Sequence, residues 1–397
     1  MRTIKSYILY IFLFFIFFAI FFCGSLKVGP LSLRNYATLA LLVVSILASP
    51  KKSYIDTTVR AFIWYLVILI FVNILNGCLN TSLFIKMMLG YQLPSIVIVF
   101  ALPKLLRSRQ DVLATMIVFT LLFLMNLAVT YGQFIGNATA INIAEIIGFD
   151  MSDVEGDKQL GSFLGGLVGN VVNNGYFLAS LLPVSVMGLW SKNKSFHILA
   201  YAILAIASYN IFIVQQRTAF VILIIFLAFL LFYKRDKLII VMAVCLGVAL
   251  LYNSELFSSV DTGRLTLEES NDDRLQLWDD FLRFAGSNDI ILGGAEKYYI
   301  TGGGVQHNTF TSTIVLGGIP VFIAFCWLLV KIFRTLNKYR KQALQDEVYY
   351  IPLYFGCFAY FLCSLTHSMG IQNEGVLFWT LYGLILSLIN TKNSYIQ

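Results

Sequence analysis

The chain has 397 residues, 58% of them hydrophobic and 12% charged, with a mean hydropathy of +0.79 and a formal net charge of +7. Soluble proteins carry roughly 45–50% apolar and about 25% charged residues, so a soluble enzyme, a secreted disulfide scaffold and a disordered chain are excluded. The composition predicts an all-α polytopic membrane protein, with residues 1–397 forming a single membrane-embedded domain.

A hydrocarbon core about 30 Å thick demands about 20 apolar residues per helix. Windows of that kind, bounded by charged or Gly/Pro-containing segments, predict about twelve spans. They fall near 7–23, 31–49, 60–79, 84–103, 111–131, 161–189, 196–214, 217–233, 238–252, 309–333, 348–366 and 375–390. The first has no small-residue cleavage pattern and is followed by further spans, so it reads as a retained helix.

Both termini are predicted inside. The inner segments then hold nineteen basic and five acidic residues, among them Lys51, Lys52, Arg107, Arg109, Lys192, Lys234, Arg334 and Lys341, and the outer ones nine and sixteen. That is the positive-inside signature, so the basic excess is topological and implies no nucleic-acid partner. Six cysteines lie in or beside apolar spans without a C-x-x-C pair and read as buried structural thiols.

Two outer regions are long. Residues 132–160 form a first outer loop, and residues 253–306, between helices nine and ten, form the largest one, bearing the candidate active site. Within it, 272–285 (DDRLQLWDDFLRFA) places most apolar residues on one helical face and predicts a helix along the membrane surface, capped by Asn271 or Asp272. Gly293, Gly294 and Gly302 to Gly304 bracket a loop where backbone can approach a ligand.

Chemistry-bearing residues follow in chain order. The sixth span combines Asn170, Asn173 and Asn174 with Gly165, Gly166, Gly169 and Gly175, a stripe that serves either helix packing or the lining of a sugar or lipid groove. Arg217, in VQQRTAF, sits at the outer mouth of a tight turn between two spans, where a cation is costly and needs an anionic partner or a wet cavity; snorkelling to the headgroups is the plainer role. Arg264, Arg274 and Arg283 lie in the large outer loop among acidic residues. Surface ion pairing suits Arg264 and Arg283, and Arg274 is the one singled out for diphosphate. His307, in GGGVQHNTF, follows Gly303 and Gly304 and precedes Asn308 and the tenth span. Its imidazole can exchange a proton near neutral pH. His367, near Gln372 and Glu374, is a secondary candidate; His197 is incidental.

Together these motifs resemble the O-antigen polymerase and ligase superfamily of bacterial envelope polysaccharide assembly. The resemblance rests on QQRTAF, on DDRLQLW, on GGGVQHNTFTSTIVLGGIP and on the Gly/Asn-bearing segment GNVVNNGYFLA. It covers roughly residues 160–335 in motifs and the whole chain in topology. It implies a fold resembling the GT-C-like membrane glycosyltransferases and a metal-independent, cofactor-free enzyme of the inner membrane with a periplasmic site. Arg217 and Arg274 would engage the diphosphate of an undecaprenyl-diphosphate-linked oligosaccharide, and His307 would orient or deprotonate the acceptor hydroxyl. Arg264, Gly303, Gly304, Asn308, Asn173, Asn174 and His367 would complete substrate binding. Membrane lipid and a chain-length regulator protein are the further partners implied. The motifs do not separate a polymerase, the reading favoured, from a ligase that transfers glycan to lipid A core. A transporter or flippase is the lesser alternative, expected to show midplane charges and paired broken helices.

Overall fold

A computed structural model describes residues 2–48, 57–77, 82–147, 164–214, 216–234, 270–294, 298, 308–340, 346–366 and 375–393. In chain order the helices are α1 (Arg2–Phe22), α2 (Leu33–Ala48), α3 (Thr57–Leu75), α4 (Ser82–Met87), α5 (Leu93–Leu105), α6 (Arg109–Phe134), α7 (Ala138–Ile146), α8 (Val171–Ser185), α9 (Lys194–Val214), α10 (Arg217–Lys234), α11 (Ser270–Ala285), α12 (Thr309–Lys338), α13 (Glu347–Thr366) and α14 (Val376–Asn393). A two-residue hairpin, β1 (Lys27–Val28) and β2 (Leu31–Ser32), precedes α2.

The protein is an all-α, multi-pass membrane protein. Among the described residues eight helices are long and apolar enough to cross a bilayer, and three shorter apolar helices, Tyr7–Phe22, Leu33–Ala48 and Val376–Thr391, accompany them. The predicted span at 238–252 lies outside the described residues. Many helices keep large apolar side chains on their outer faces, such as Phe15, Phe71, Val221, Phe232 and Ile323. In water such a surface would aggregate; against lipid tails it is ordinary.

Packing divides the chain into two compact units: Met1–Lys27 with Ala114–Leu267, and Val28–Leu113 with Glu268–Gln397. In the first, α1 is zipped to its neighbours by aromatic edges. Phe17 meets Phe119 at 4.8 Å between ring centroids, and Phe21 and Phe22 reach Phe177 of α8 at 5.7 and 5.4 Å. In the second, α3 packs on α12 and α14 on α5 and α13. Phe62 stacks on Trp379 at 4.3 Å, and Thr58 hydrogen-bonds both Thr335 (3.2 Å) and Tyr382 (2.8 Å), satisfying polar groups that lipid would leave orphaned.

Bonds between elements join ends that the alternating path predicts on one side. In the second unit Arg109 forks onto Asp346 with bonds of 3.0 and 2.9 Å, and Arg107 bonds the Ala48 carbonyl, all at predicted inner ends. At predicted outer ends Asn76 donates to the Leu292 carbonyl (2.8 Å) and Asn308 to that of Leu365 (3.0 Å). In the first unit Lys234 lies over the Trp190 ring, again pairing two inner ends.

Two predicted elements are corrected and one is refined. The window 161–189 is not one helix, because α8 begins only at Val171 and is followed by a 3-10 turn, Met187–Trp190. Gly166 (φ +56°) and Gly169 (φ +92°) turn the chain through the left-handed region, and the Asn170 side chain caps α8 by accepting from Val172 and Asn173. The window 84–103 is helical throughout, with a π-turn, Met88–Gln92, set between α4 and α5. Asn271 and Asp272 lie inside α11, not at its cap.

Candidate functional site

The first unit builds its polar end from the residues that read as a Gly/Asn stripe. Asn174 is fully buried at the first turn of α8. Its amide donates to the Leu164 carbonyl (2.6 Å) and to Thr130 Oγ1 (3.1 Å), and its oxygen accepts from Asn126 Nδ2 (2.7 Å). Asn126 Oδ1 in turn accepts from the Leu167 amide (2.7 Å), and Gln133 Oε1 from the Gly166 amide (2.8 Å). The glycine loop before α8 is thus tied to α6 and α8 by side-chain amides. A Cβ at Gly166 would stand 2.4 Å from Asn126 Oδ1, so the loop seats on the network only because glycine is there. Asn174 packs the loop, and Asn173 beside it is half-buried.

The same helix carries Gly175, whose missing Cβ makes room for Gln216: a methyl there would lie 2.7 Å from the Gln216 Cβ. Gln216 Oε1 accepts from the Ala219 amide (2.5 Å), capping α10, whose first residue is Arg217. Arg217 is half-buried at that helix start. Two motifs separated in sequence, GNVVNNGYFLA and QQRTAF, therefore meet within one unit. Leucine at Asn174 is expected to lower stability by about 3 kcal/mol, since it leaves Asn126 and the Leu164 carbonyl buried without their partner. Thermal unfolding of the purified protein reads this out, with Asn173→Ala expected to change little.

In the second unit α11 turns Phe281 and Phe284 onto Tyr298 and Val315, while Trp278 and Leu282 stay exposed. Only part of its apolar stripe is therefore left for a membrane surface. Arg274 lies on α11, and Arg283 makes a surface ion pair with Asp280 at 2.9 Å.

Gly293 and Gly294, which bracket the loop where backbone is expected to approach a ligand, themselves approach another helix. α12 is broken at Gly317 (φ −154°, ψ 16°) and Gly318 (φ +64°, ψ −162°). The Gly294 amide donates to the Val315 carbonyl (2.9 Å), and a Cβ on Gly293 would stand 2.4 Å from the Gly318 nitrogen. The break brings these two segments into backbone contact.

Asn308 caps α12 by accepting from the Phe310 amide (2.8 Å). It also donates to the Leu365 carbonyl (3.0 Å). That bond joins the residue after His307 to the residue two before His367. His307, His367, Gly303, Gly304 and Arg264 lie outside the described residues. His197 contacts the Ser191 carbonyl at 2.5 Å, a local tie at the start of α9.

Sequence reasoning passed over the π-turn and what binds it. Pro94 has no amide hydrogen to give the Gly90 carbonyl, and Arg34 Nη1 donates to that carbonyl at 3.3 Å. The signal available was the Gly-Tyr-Gln-Leu-Pro run inside an apolar window. Comparison with known proteins finds no matching family model, curated relative or solved structure.

Proposed function

We propose that the protein is an O-antigen polymerase, a metal-independent membrane glycosyltransferase that joins undecaprenyl-diphosphate-linked repeat units at the periplasmic face of the bacterial inner membrane. The fuller topology belongs to this reading: about twelve spans, termini in the cytoplasm, and a GT-C-like bundle with its large loop outside. The observation that carries it is the seating of Gln216 on Gly175, which fixes Arg217 at the head of α10 beside the Asn-bearing helix. A half-buried guanidinium at a helix start within a membrane protein suits a diphosphate headgroup better than it suits bulk water.

In the reaction, the acceptor sugar hydroxyl attacks the anomeric carbon of the lipid-linked glycan. The new C–O bond forms as the bond from that carbon to the diphosphate breaks. Undecaprenyl diphosphate leaves with the bonding pair, and the hydroxyl proton passes to His307. Arg217 and Arg274 offset the charge that grows on the leaving group, through bidentate bonds in a low-dielectric setting. His307 is the base that orients the acceptor hydroxyl and takes its proton.

The glycan phenotype of a null strain separates the two activities of the superfamily. A polymerase defect leaves lipid A core bearing one repeat unit, the expected result. Bare core with accumulated lipid-linked polymer would assign the protein as a ligase, and an unchanged ladder would refute both.

A further inference from the structure

The π-turn in the second unit carries a polar cluster that the transferase reading does not use. Pro94 frees the Gly90 carbonyl, the ladder shifts to i+5 bonding, and the Leu93 amide donates to the Met88 carbonyl. Arg34, at the start of α2, bonds the Gly90 carbonyl, and its guanidinium lies 5.5 Å from the Tyr91 ring centroid. One residue further along each helix stand two buried amides. Gln92 is 1% exposed and Asn35 8%. Among the described residues Gln92 Nε2 and Asn35 Oδ1 have no hydrogen-bond partner. The neighbouring hydroxyls are satisfied locally: Thr38 donates to the Arg34 carbonyl and Ser95 to that of Tyr91.

If Arg34 served only to satisfy the freed carbonyl, the two amides would be a pure cost, since an orphaned donor and an orphaned acceptor are both expensive in an apolar interior. A ligand that is at once anionic, hydrogen-bond accepting and hydroxyl-bearing answers both amides and suits the charge of the guanidinium. The outer face of α2 carries Tyr36, Leu39, Val43 and Leu47 exposed at i, i+3, i+7 and i+11, and Leu89 of the π-turn is exposed as well. Such a stripe suits acyl chains.

We propose that Arg34, Gln92 and Asn35 form a phospholipid headgroup site selective for a phosphodiester with free hydroxyls. The guanidinium holds the phosphate, the Gln92 amide donates to an ester oxygen, and Asn35 accepts from a headgroup hydroxyl. The acyl chains run along α2. The site is independent of the glycan chemistry and stands whether or not that reading does.

Thermal unfolding of the full-length protein in uncharged detergent micelles tests it, with phosphatidylglycerol, phosphatidylcholine or soluble glycerol 3-phosphate added. Phosphatidylglycerol should raise the midpoint and phosphatidylcholine should not. The lipid concentration for half the effect should rise about tenfold in Arg34→Ala and about threefold in Gln92→Leu. Gln92→Leu should be at least as stable as wild type without lipid, so this variant carries the test even where Arg34→Ala fails to fold. An equal shift from glycerol 3-phosphate would overturn the lipid as source. Equal stabilisation of wild type and Gln92→Leu by phosphatidylglycerol, or an equal response to phosphatidylcholine, would overturn the site.

Discussion

Alanine at Arg217, or at His307, is expected to lower glycan joining by about a hundredfold or more, collapsing the long-chain ladder of complemented null cells while leaving the protein inserted at normal abundance. The magnitude follows from the roles assigned. One fixed donor aimed at a developing oxyanion accounts for about 10²–10³ in rate, and a positioned base for about 10²–10⁴. Arg217→Lys keeps the charge but loses the planar fork, so it should recover only part of the activity. Gln216 and Gly175 seat the turn before Arg217 and have no assigned part in the chemistry. Gly175→Ala is therefore expected to lower both activity and stability, whereas Arg217→Ala should lower activity alone.

The largest effect on folding is expected at the α12 break. Valine at Gly318 would put a branched side chain on a residue with φ +64° and ψ −162°, a region open essentially to glycine. Its Cβ would also stand 2.5 Å from the Ile291 carbonyl oxygen and 2.6 Å from the Gly293 nitrogen. These are backbone atoms that no rotamer change can move aside. Backbone strain and overpacking together cost about 3–5 kcal/mol, and Tm should fall by about 5 °C or more. Gly286→Ala is the control. Its Cβ would meet the Leu282 and Arg283 carbonyl oxygens at 3.5 and 3.6 Å, ordinary contact distances, and Tm should barely move.

Hydropathy made the membrane helices legible because a bilayer imposes one length and one composition on whatever crosses it. The windows 196–214 and 348–366 agree closely with α9 and α13. It failed where apolar residues pack without forming helix. Leu164 and Leu167 are buried in the glycine loop before α8, so a hydropathy window cannot tell that loop from a span. The amide network that holds the loop joins Asn126 to Asn174, 48 positions apart, and no local pattern announces such a pairing. Gly293 and Gly294 were recognisable as a place of close approach, but the partner, the Gly317–Gly318 break, is set by tertiary packing. Arg34 was lost among the charges that flank spans, since its meaning depends on a carbonyl that Pro94 leaves open far along the chain.

The central claim is that Arg217, Arg274 and His307 serve one glycosyl transfer. Purified protein reconstituted with undecaprenyl-diphosphate-linked repeat units, with glycan length and freed undecaprenyl diphosphate followed together, tests it directly. The account predicts that one undecaprenyl diphosphate is released for every unit joined, and that both signals vanish in each of the three alanine variants. Repeat units that cross the bilayer without being joined, or variants that elongate glycan as the wild type does, would contradict it.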